Sequence, residues 1–259
     1  MLELLQNADD NRYEEGTPSL RFTYKTGSLR IDCNETGFTA DNVRALCAIR
    51  RSTKSGESHC QGYTGEKGIG FKSVFSIADE VWIASREYRF KFDKGEEFGM
   101  IGPSWAAFPE PTLSDGTSLY MRLSDKEDLA KDLNDFDPAM LLFLRRIRKV
   151  ELACIQFEGQ SWVKKIERYD EIRDGNLSRV ISCGTSQLVY SLYSFDVNEL
   201  PPESRRPGYT HSELILAFPI PDSFTTPFFS TQKVYSCLPV GDYGLKVALC
   251  LPEPRSASY

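Results

Sequence analysis

The chain lacks several things that would place it quickly. No apolar run reaches the ~18 residues of a membrane-spanning helix. Its opening, Met1-Leu-Glu-Leu-Leu-Gln-Asn-Ala-Asp-Asp, has no uninterrupted apolar stretch, because Glu3, Asp9 and Asp10 break it, so it does not read as a secretory leader. Histidine is scarce, with two in 259 residues, and His59 beside Cys60 has no second ligand pair at metal spacing. The seven cysteines, at 33, 47, 60, 154, 183, 237 and 250, are odd in number and form no Cys-x-x-Cys pair, which excludes a structural zinc site. Reduced thiols in an intracellular compartment, cytoplasm or nucleus, fit this usage. Excess positive charge is missing too. A net charge of −6 argues against nucleic acid as the main partner.

What is present is ordinary in bulk. With 41% apolar and 26% charged residues the chain can bury a core, and its length suits more than one structural unit. Residues 1–12 read as a helix. Leu20–Tyr24 and Ser28–Ile31 read as strands around a Lys25-Thr26-Gly27 turn. Thr39 is placed to N-cap a helix over Ala40–Ile49. The polar stretch Arg50–Tyr63, with Arg50, Arg51 and Lys54, has the composition of a mobile loop, either a lid or an ordinary surface loop. Strands follow at Glu80–Ala84, Tyr88–Phe92 and from Gly116 to Leu123. Asp137-Pro138 predicts a helix start, and Met140–Leu144, apolar on every side, predicts a buried helix. The cations Arg145, Arg146, Arg148 and Lys149 suit the solvated end of that helix. Val150–Phe157, Leu188–Tyr193 and Glu213–Phe218 read as strands of a second unit beyond a boundary near 150. No internal repeat is visible.

Two motifs carry chemistry. In Gly65-Glu66-Lys67-Gly68-Ile69-Gly70-Phe71-Lys72-Ser73-Val74-Phe75, closely spaced glycines leave backbone N–H groups uncovered ahead of an apolar run at helical spacing. Such a loop is either an anion cradle, for which phosphate is the natural ligand, or a tight turn before a buried helix. The order Gly65-x-x-Gly68-x-Gly70 is not the dinucleotide fingerprint, and Phe71 separates Gly70 from Lys72-Ser73, so it is not a Walker A loop. At the chain start, Glu3, Asn7 and Asp10 share one helix face at i, i+4 and i+7. That stripe can activate a water and ligate Mg²⁺ through an amide oxygen, or it is a solvated polar face.

Glu3-x-x-x-Asn7-x-x-Asp10 followed by Gly65-x-x-Gly68-x-Gly70-Phe71 resembles the Bergerat-fold, or GHKL, ATPases: gyrase B, the ninety-kilodalton heat-shock chaperones, histidine kinases and MutL. Thr36-Gly37-Phe38-Thr39 and Ser52-Thr53-Lys54 lie between, and Gly116-Thr117-Ser118 looks like the third glycine box, so the likeness covers residues 1–123. The wording is closest to the sacsin and No Vein branch of large fungal and plant proteins. The resemblance implies an α/β fold, an α+β two-layer sandwich with helices on one face of a mixed, mostly antiparallel sheet. Residues 1–150 would be the ATP-binding domain and 151–259 the start of a smaller α/β transducer-like unit. Since family members usually carry an element ahead of the catalytic helix, and since the C-terminal end stops in a polar tail, a fragment or shortened gene model is expected.

The same resemblance implies the roles. Glu3 is the general base, Asn7 holds Mg²⁺, and Asp10 helps hold the nucleotide. Backbone N–H groups from Gly65, Gly68, Gly70 and Phe71 cradle the phosphates, Ser52, Thr53 and Lys54 close from the lid, and Thr117 contacts the adenine end. The family's Asp-x-Gly-x-Gly box reads here as Cys33-Asn34-Glu35-Thr36-Gly37, with Cys33 where the adenine-reading Asp stands. Asp32, Asn34 or Glu35 can replace it, Glu35 being favoured. A lysine reaching the γ-phosphate would be Lys233 or, alternatively, Lys246. Expected cofactors are ATP and Mg²⁺, and expected partners are the nucleotide and a protein client or attached domain, with dimerisation compatible and a membrane excluded. Three activities follow: a slow chaperone-like ATPase, a nucleotide-binding switch with little hydrolysis, or a scaffold that has lost the ligand.

Overall fold

The computed structural model describes residues 1–47, 69–124, 128–155, 161–173, 175–200, 211–221, 230–236 and 238–251, with only the backbone of Ile69 and Gly70. The stretch proposed as a lid, Arg50–Tyr63, lies outside them. The chain forms two compact units, Met1–Phe136 with Lys149–Lys165, and Asp137–Arg148 with Ile166–Tyr259.

The first unit runs α1 (Leu2–Asp10), β1 (Ser19–Lys25), β2 (Ser28–Cys33), α2 (Ala40–Cys47), α3 (Ile69–Lys72) with a 3₁₀ turn at Ser73–Ser76, β3 (Ala78–Ser85), β4 (Tyr88–Asp93), β5 (Ser104–Trp105), β6 (Thr117–Leu123), α4 (Ala130–Asn134) and β7 (Lys149–Ile155). Its strands are ordered β7-β1-β2-β6-β3-β4-β5. β1 runs parallel to β7 and the other neighbours are antiparallel. The β1–β2 hairpin closes through Thr26-Gly27, where Gly27 takes φ +80°, a conformation that costs other residues strain. Alternation then sorts β2 by face. Leu29, Ile31 and Cys33 are buried, while Arg30 and Asp32 pair at 2.8 Å and Arg30 continues to Glu110 at 3.0 Å. Phe71 and Phe75 pack against Phe92 with ring centroids 5.8 and 6.2 Å away, which anchors α3 and its turn on the sheet. The α2 start is capped reciprocally. Thr39 Oγ1 accepts from Asn42 N at 3.3 Å, and Asn42 Oδ1 accepts from Thr39 N at 2.9 Å.

The second unit contains a 3₁₀ turn at Pro138–Leu141, β8 (Trp162–Arg173, from Ile166 onward), β9 (Asn176–Cys183), β10 (Ser186–Asn198), β11 (His211–Ile220), β12 (Gln232–Ser236), β13 (Leu238–Leu245) and β14 (Ala248–Cys250), in the order β13-β12-β14-β11-β10-β9-β8. β12 and β14 are parallel, and the other pairings are antiparallel.

This corrects the expected α/β two-layer sandwich. Among the described residues there are fourteen strands, against four α-helices of at most nine residues and two 3₁₀ turns. The error is plainest in the second unit. The helix predicted from Asp137-Pro138 starts as its signals require, with Asp137 Oδ1 accepting from Ala139 N at 2.9 Å, but ends after one 3₁₀ turn. The carbonyls that a longer helix would bond internally go elsewhere. Arg168 Nη1 donates to Leu141 O at 2.9 Å and to Leu144 O, and Arg179 Nη1 donates to Leu142 O at 2.7 Å. Two arginines from β8 and β9 thus satisfy the backbone of an irregular apolar segment. Among the described residues no helix is long and apolar enough to cross a membrane.

Candidate functional site

The first unit encloses a cavity of about 120 Å³. Leu4, Asn7, Ala8 and the following Asn11 approach from α1. Leu20, Ile31, Cys33, Thr117 and Leu119 rise from the sheet, Asn42, Ala45 and Leu46 come from α2, and Phe38 and Phe71 complete the wall. No charged side chain lines it among the described residues, so the polar groups on its apolar walls are neutral. An apolar cavity of ~150 Å³ holds a benzene ring. At about 120 Å³ this one is of the same order.

Two hydrogen-bonded pairs organise the sheet wall. Tyr13 Oη donates to Ala8 O at 2.7 Å and meets Cys33 Sγ at 3.1 Å, which ties α1 to the end of β2. Burial pushes the Cys33 thiol up to about 12, with the negative charge of Glu35 adding to the shift, so Cys33 is a neutral thiol at ordinary pH. Burial also pushes the Tyr13 phenol up. Across β3 and β6, Ser85 and Thr117 are direct partners, with hydroxyls 2.6 Å apart. Thr117 donates to the buried Glu35 carboxylate, and Phe38 N donates to Ser85 Oγ at 2.8 Å. Gly116 brings this wall together. Its φ is +112°, and a Cβ there would stand 2.3 Å from Cys33 O.

The sequence-predicted residues divide among these surroundings. Asn7, Phe71 and Thr117 line the cavity. Glu3 and Asp10 are half-buried on α1 outside the lining, whereas their neighbour Asp9 is buried. Of the three alternatives for the acceptor at the altered box, Asp32 accepts from Arg30 and, at 2.6 Å, from Ser118. Asn34 clasps the start of β1, accepting from Ser19 N at 2.7 Å and donating to Thr17 O at 3.0 Å. Glu35 is the one joined to a cavity residue, through Thr117. Gly37 has φ +84°, and a Cβ there would meet the Arg86 side chain. Gly70 belongs to α3, while Ser52, Thr53, Lys54, Gly65 and Gly68 lie outside the described residues. In the second unit Lys233 pairs with Asp137 at 2.7 Å, and Lys246 is exposed beyond β13. No cluster of three or more His, Cys, Asp or Glu suited to a metal occurs among the described residues.

Sequence reasoning missed Tyr13, Ser85, Asn11 and Asn42. Asn42 had a local signal, the Thr39 cap three residues earlier. Ser85 had none, because its role follows from strand register against Thr117.

The chain is 30% identical to Protein NO VEIN of Arabidopsis thaliana over 275 residues, covering 95% of this chain and 10% of that protein. It therefore spans about a tenth of the length of the relative it matches. In fold it is similar to the crystal structure of the N-terminal domain of a DNA repair protein, with a TM-score of 0.52 and 13% identity over 97% of this chain and 80% of that one. No family model matches.

Proposed function

We propose that the cavity is the base-binding part of a Mg²⁺-ATP site of the GHKL kind, in a chaperone-like or conformational-switch module that hydrolyses ATP slowly. One observation carries the reading: Asn7, Phe71 and Thr117, from three motifs far apart in sequence, line a single cavity. Its size and neutral lining suit a flat nucleobase, whose ribose and phosphates would extend toward α3. The amide oxygen of Asn7 is a hard ligand suited to Mg²⁺ bound jointly with phosphate oxygens. When bound, the ion would neutralise charge on those oxygens. Glu3, one turn before Asn7 on α1, would orient the attacking water and take its proton.

Titration of the whole chain with Mg²⁺-ATP tests this, together with phosphate release. Asn7→Ala should weaken the Mg²⁺-dependent binding about tenfold or more, the scale of a lost hydrogen bond to charge. Glu3→Ala should leave binding in place and reduce phosphate release to background. Absence of ATP binding by the unmutated chain, or unchanged affinity in Asn7→Ala, refutes the reading. The engagement of Lys233 with Asp137 favours a second reading, a nucleotide-binding switch with little hydrolysis. In that case the unmutated chain binds ATP but releases phosphate no faster than Glu3→Ala.

A further inference from the structure

The wall formed by Cys33 and Thr117 has a fixed hydrogen-bond polarity, and it follows from counting protons. A hydroxyl has one hydrogen to donate and two lone pairs to accept with. Thr117 uses its hydrogen on the Glu35 carboxylate. The 2.6 Å contact between Thr117 and Ser85 must then use the hydrogen of Ser85, whose oxygen in turn accepts from Phe38 N at 2.8 Å. The chain is therefore ordered from Phe38 N through Ser85 and Thr117 to Glu35. Thr117 faces the cavity with one lone pair and no proton. Cys33 reaches the same state independently. Tyr13 commits its hydrogen to Ala8 O, an atom that can only accept, so at 3.1 Å the thiol donates to Tyr13 Oη. Its sulfur then has lone pairs alone to offer the cavity. Hydrogen bonds in series polarise one another, so a carboxylate at the end of the chain makes the Thr117 oxygen a better acceptor.

We propose that this ordered wall reads hydrogen-bond donors, with Glu35 as a positioning residue that acts through Thr117 instead of touching the ligand. A ring that brings an amino group to the wall is bound, and a ring that brings a carbonyl oxygen there meets lone pair against lone pair. Specificity so assigned belongs to an uncharged wall whose sign is set by a carboxylate behind it. The inference rests on the reading of the cavity as a nucleobase site.

The experiment compares Mg²⁺-ATP with two probes by titration calorimetry on the full chain. One is ITP, which has an oxygen in place of the amino group, and the other is purine riboside triphosphate, which has hydrogen there. ATP should bind roughly tenfold tighter than either, the worth of one well-placed hydrogen bond. Glu35→Met, close in size, removes the acceptor of the Thr117 hydrogen, which is then free to turn toward the cavity. The ATP-to-ITP ratio should then fall to about one or below. Ser85→Ala keeps the bond from Thr117 to Glu35 and should keep the ratio, an outcome that a merely structural role for the chain would not give. Equal affinities for ATP and ITP in the unmutated protein overturn the inference while leaving the nucleotide site standing. So does an unchanged ratio in folded Glu35→Met. If that variant does not fold, the unmutated ratio and Ser85→Ala decide. Binding of none of the three nucleotides refutes the nucleotide reading and this inference with it.

Discussion

Replacing Gly116 by alanine should harm the first unit far more than the same change at Gly27, although both glycines have positive φ. At Gly27, with φ +80°, a Cβ would meet nothing within 4 Å. The change there adds ~1–3 kcal/mol of backbone strain, offset by ~0.4–1 kcal/mol from a stiffer unfolded chain. At Gly116, with φ +112°, the same Cβ would lie 2.3 Å from Cys33 O and 3.1 Å from Asn34 Cα, where ordinary contacts begin at 3.4 Å. Both obstacles are backbone, so no side chain can swing aside. Forcing β6 away from the end of β2 costs about 1–3 kcal/mol beyond the strain, as overpacking does elsewhere. Trp82, Trp105 and Trp162, the three tryptophans of the chain, all lie in the first unit, so their fluorescence follows its unfolding in urea. With an m value of ~2 kcal/mol/M, the two variants should differ in midpoint by about 1 M. Equal midpoints would show that β6 yields freely at Gly116, and the tight wall between Cys33 and Thr117 would lose its foundation.

Two further outcomes follow from buried and paired charge. Arg168→Met should destabilise the second unit by about 2–4 kcal/mol, because two buried carbonyls lose their donor, each at ~1–3 kcal/mol. Relief of a buried guanidinium whose Nε and Nη2 have no hydrogen-bond partner among the described residues offsets part of that. Loss of amide protection over residues 138–144 in hydrogen exchange would register the change, and a stabilised variant would show that Arg168 does not hold the segment. Lys25, followed by Arg30, holds the Glu110 carboxyl below its usual range. A depressed carboxylate stabilises above its unfolded-state pKa and loses that contribution as pH falls through the folded value. Glu110→Gln should therefore melt lower than the unmutated chain at pH 7, and the gap should close in acid. A gap independent of pH would assign the effect to packing.

Where local chemistry decides structure, the sequence was legible. The Thr26-Gly27 turn, the Thr39 cap and the helical face carrying Asn7 could all be read from neighbours in the chain. Where partners distant in sequence decide, it was not. β8 puts Lys, Glu, Arg and Asp through Trp162–Arg173, so no apolar alternation marks it as a strand. Cross-strand partners do, such as Asp170 with Arg179 at 2.7 Å. The apolar run 140–144 suggested a helix because nothing local reveals that Arg168 and Arg179 will take its carbonyls. The cavity divides in the same way. Asn7, Phe71 and Thr117 stood out through motifs, whereas Ser85 and Tyr13 belong to it through register and tertiary contact.

The parallel pairing of β1 with β7, Ser19 opposite Lys149 through Lys25 opposite Ile155, also sets an order of assembly. In synthesis β1 precedes all the other strands of its unit, and the strand that covers its second edge comes only after β2 through β6 and after the first segment of the other unit, Asp137–Arg148. Such non-local pairing closes slowly, because a long loop must be ordered before the contact forms. Until β7 is made, β1 presents a row of unpaired backbone groups to any neighbouring chain. A cut at residue 136 or 148, although it looks like a clean boundary, leaves the first unit with that edge open for good.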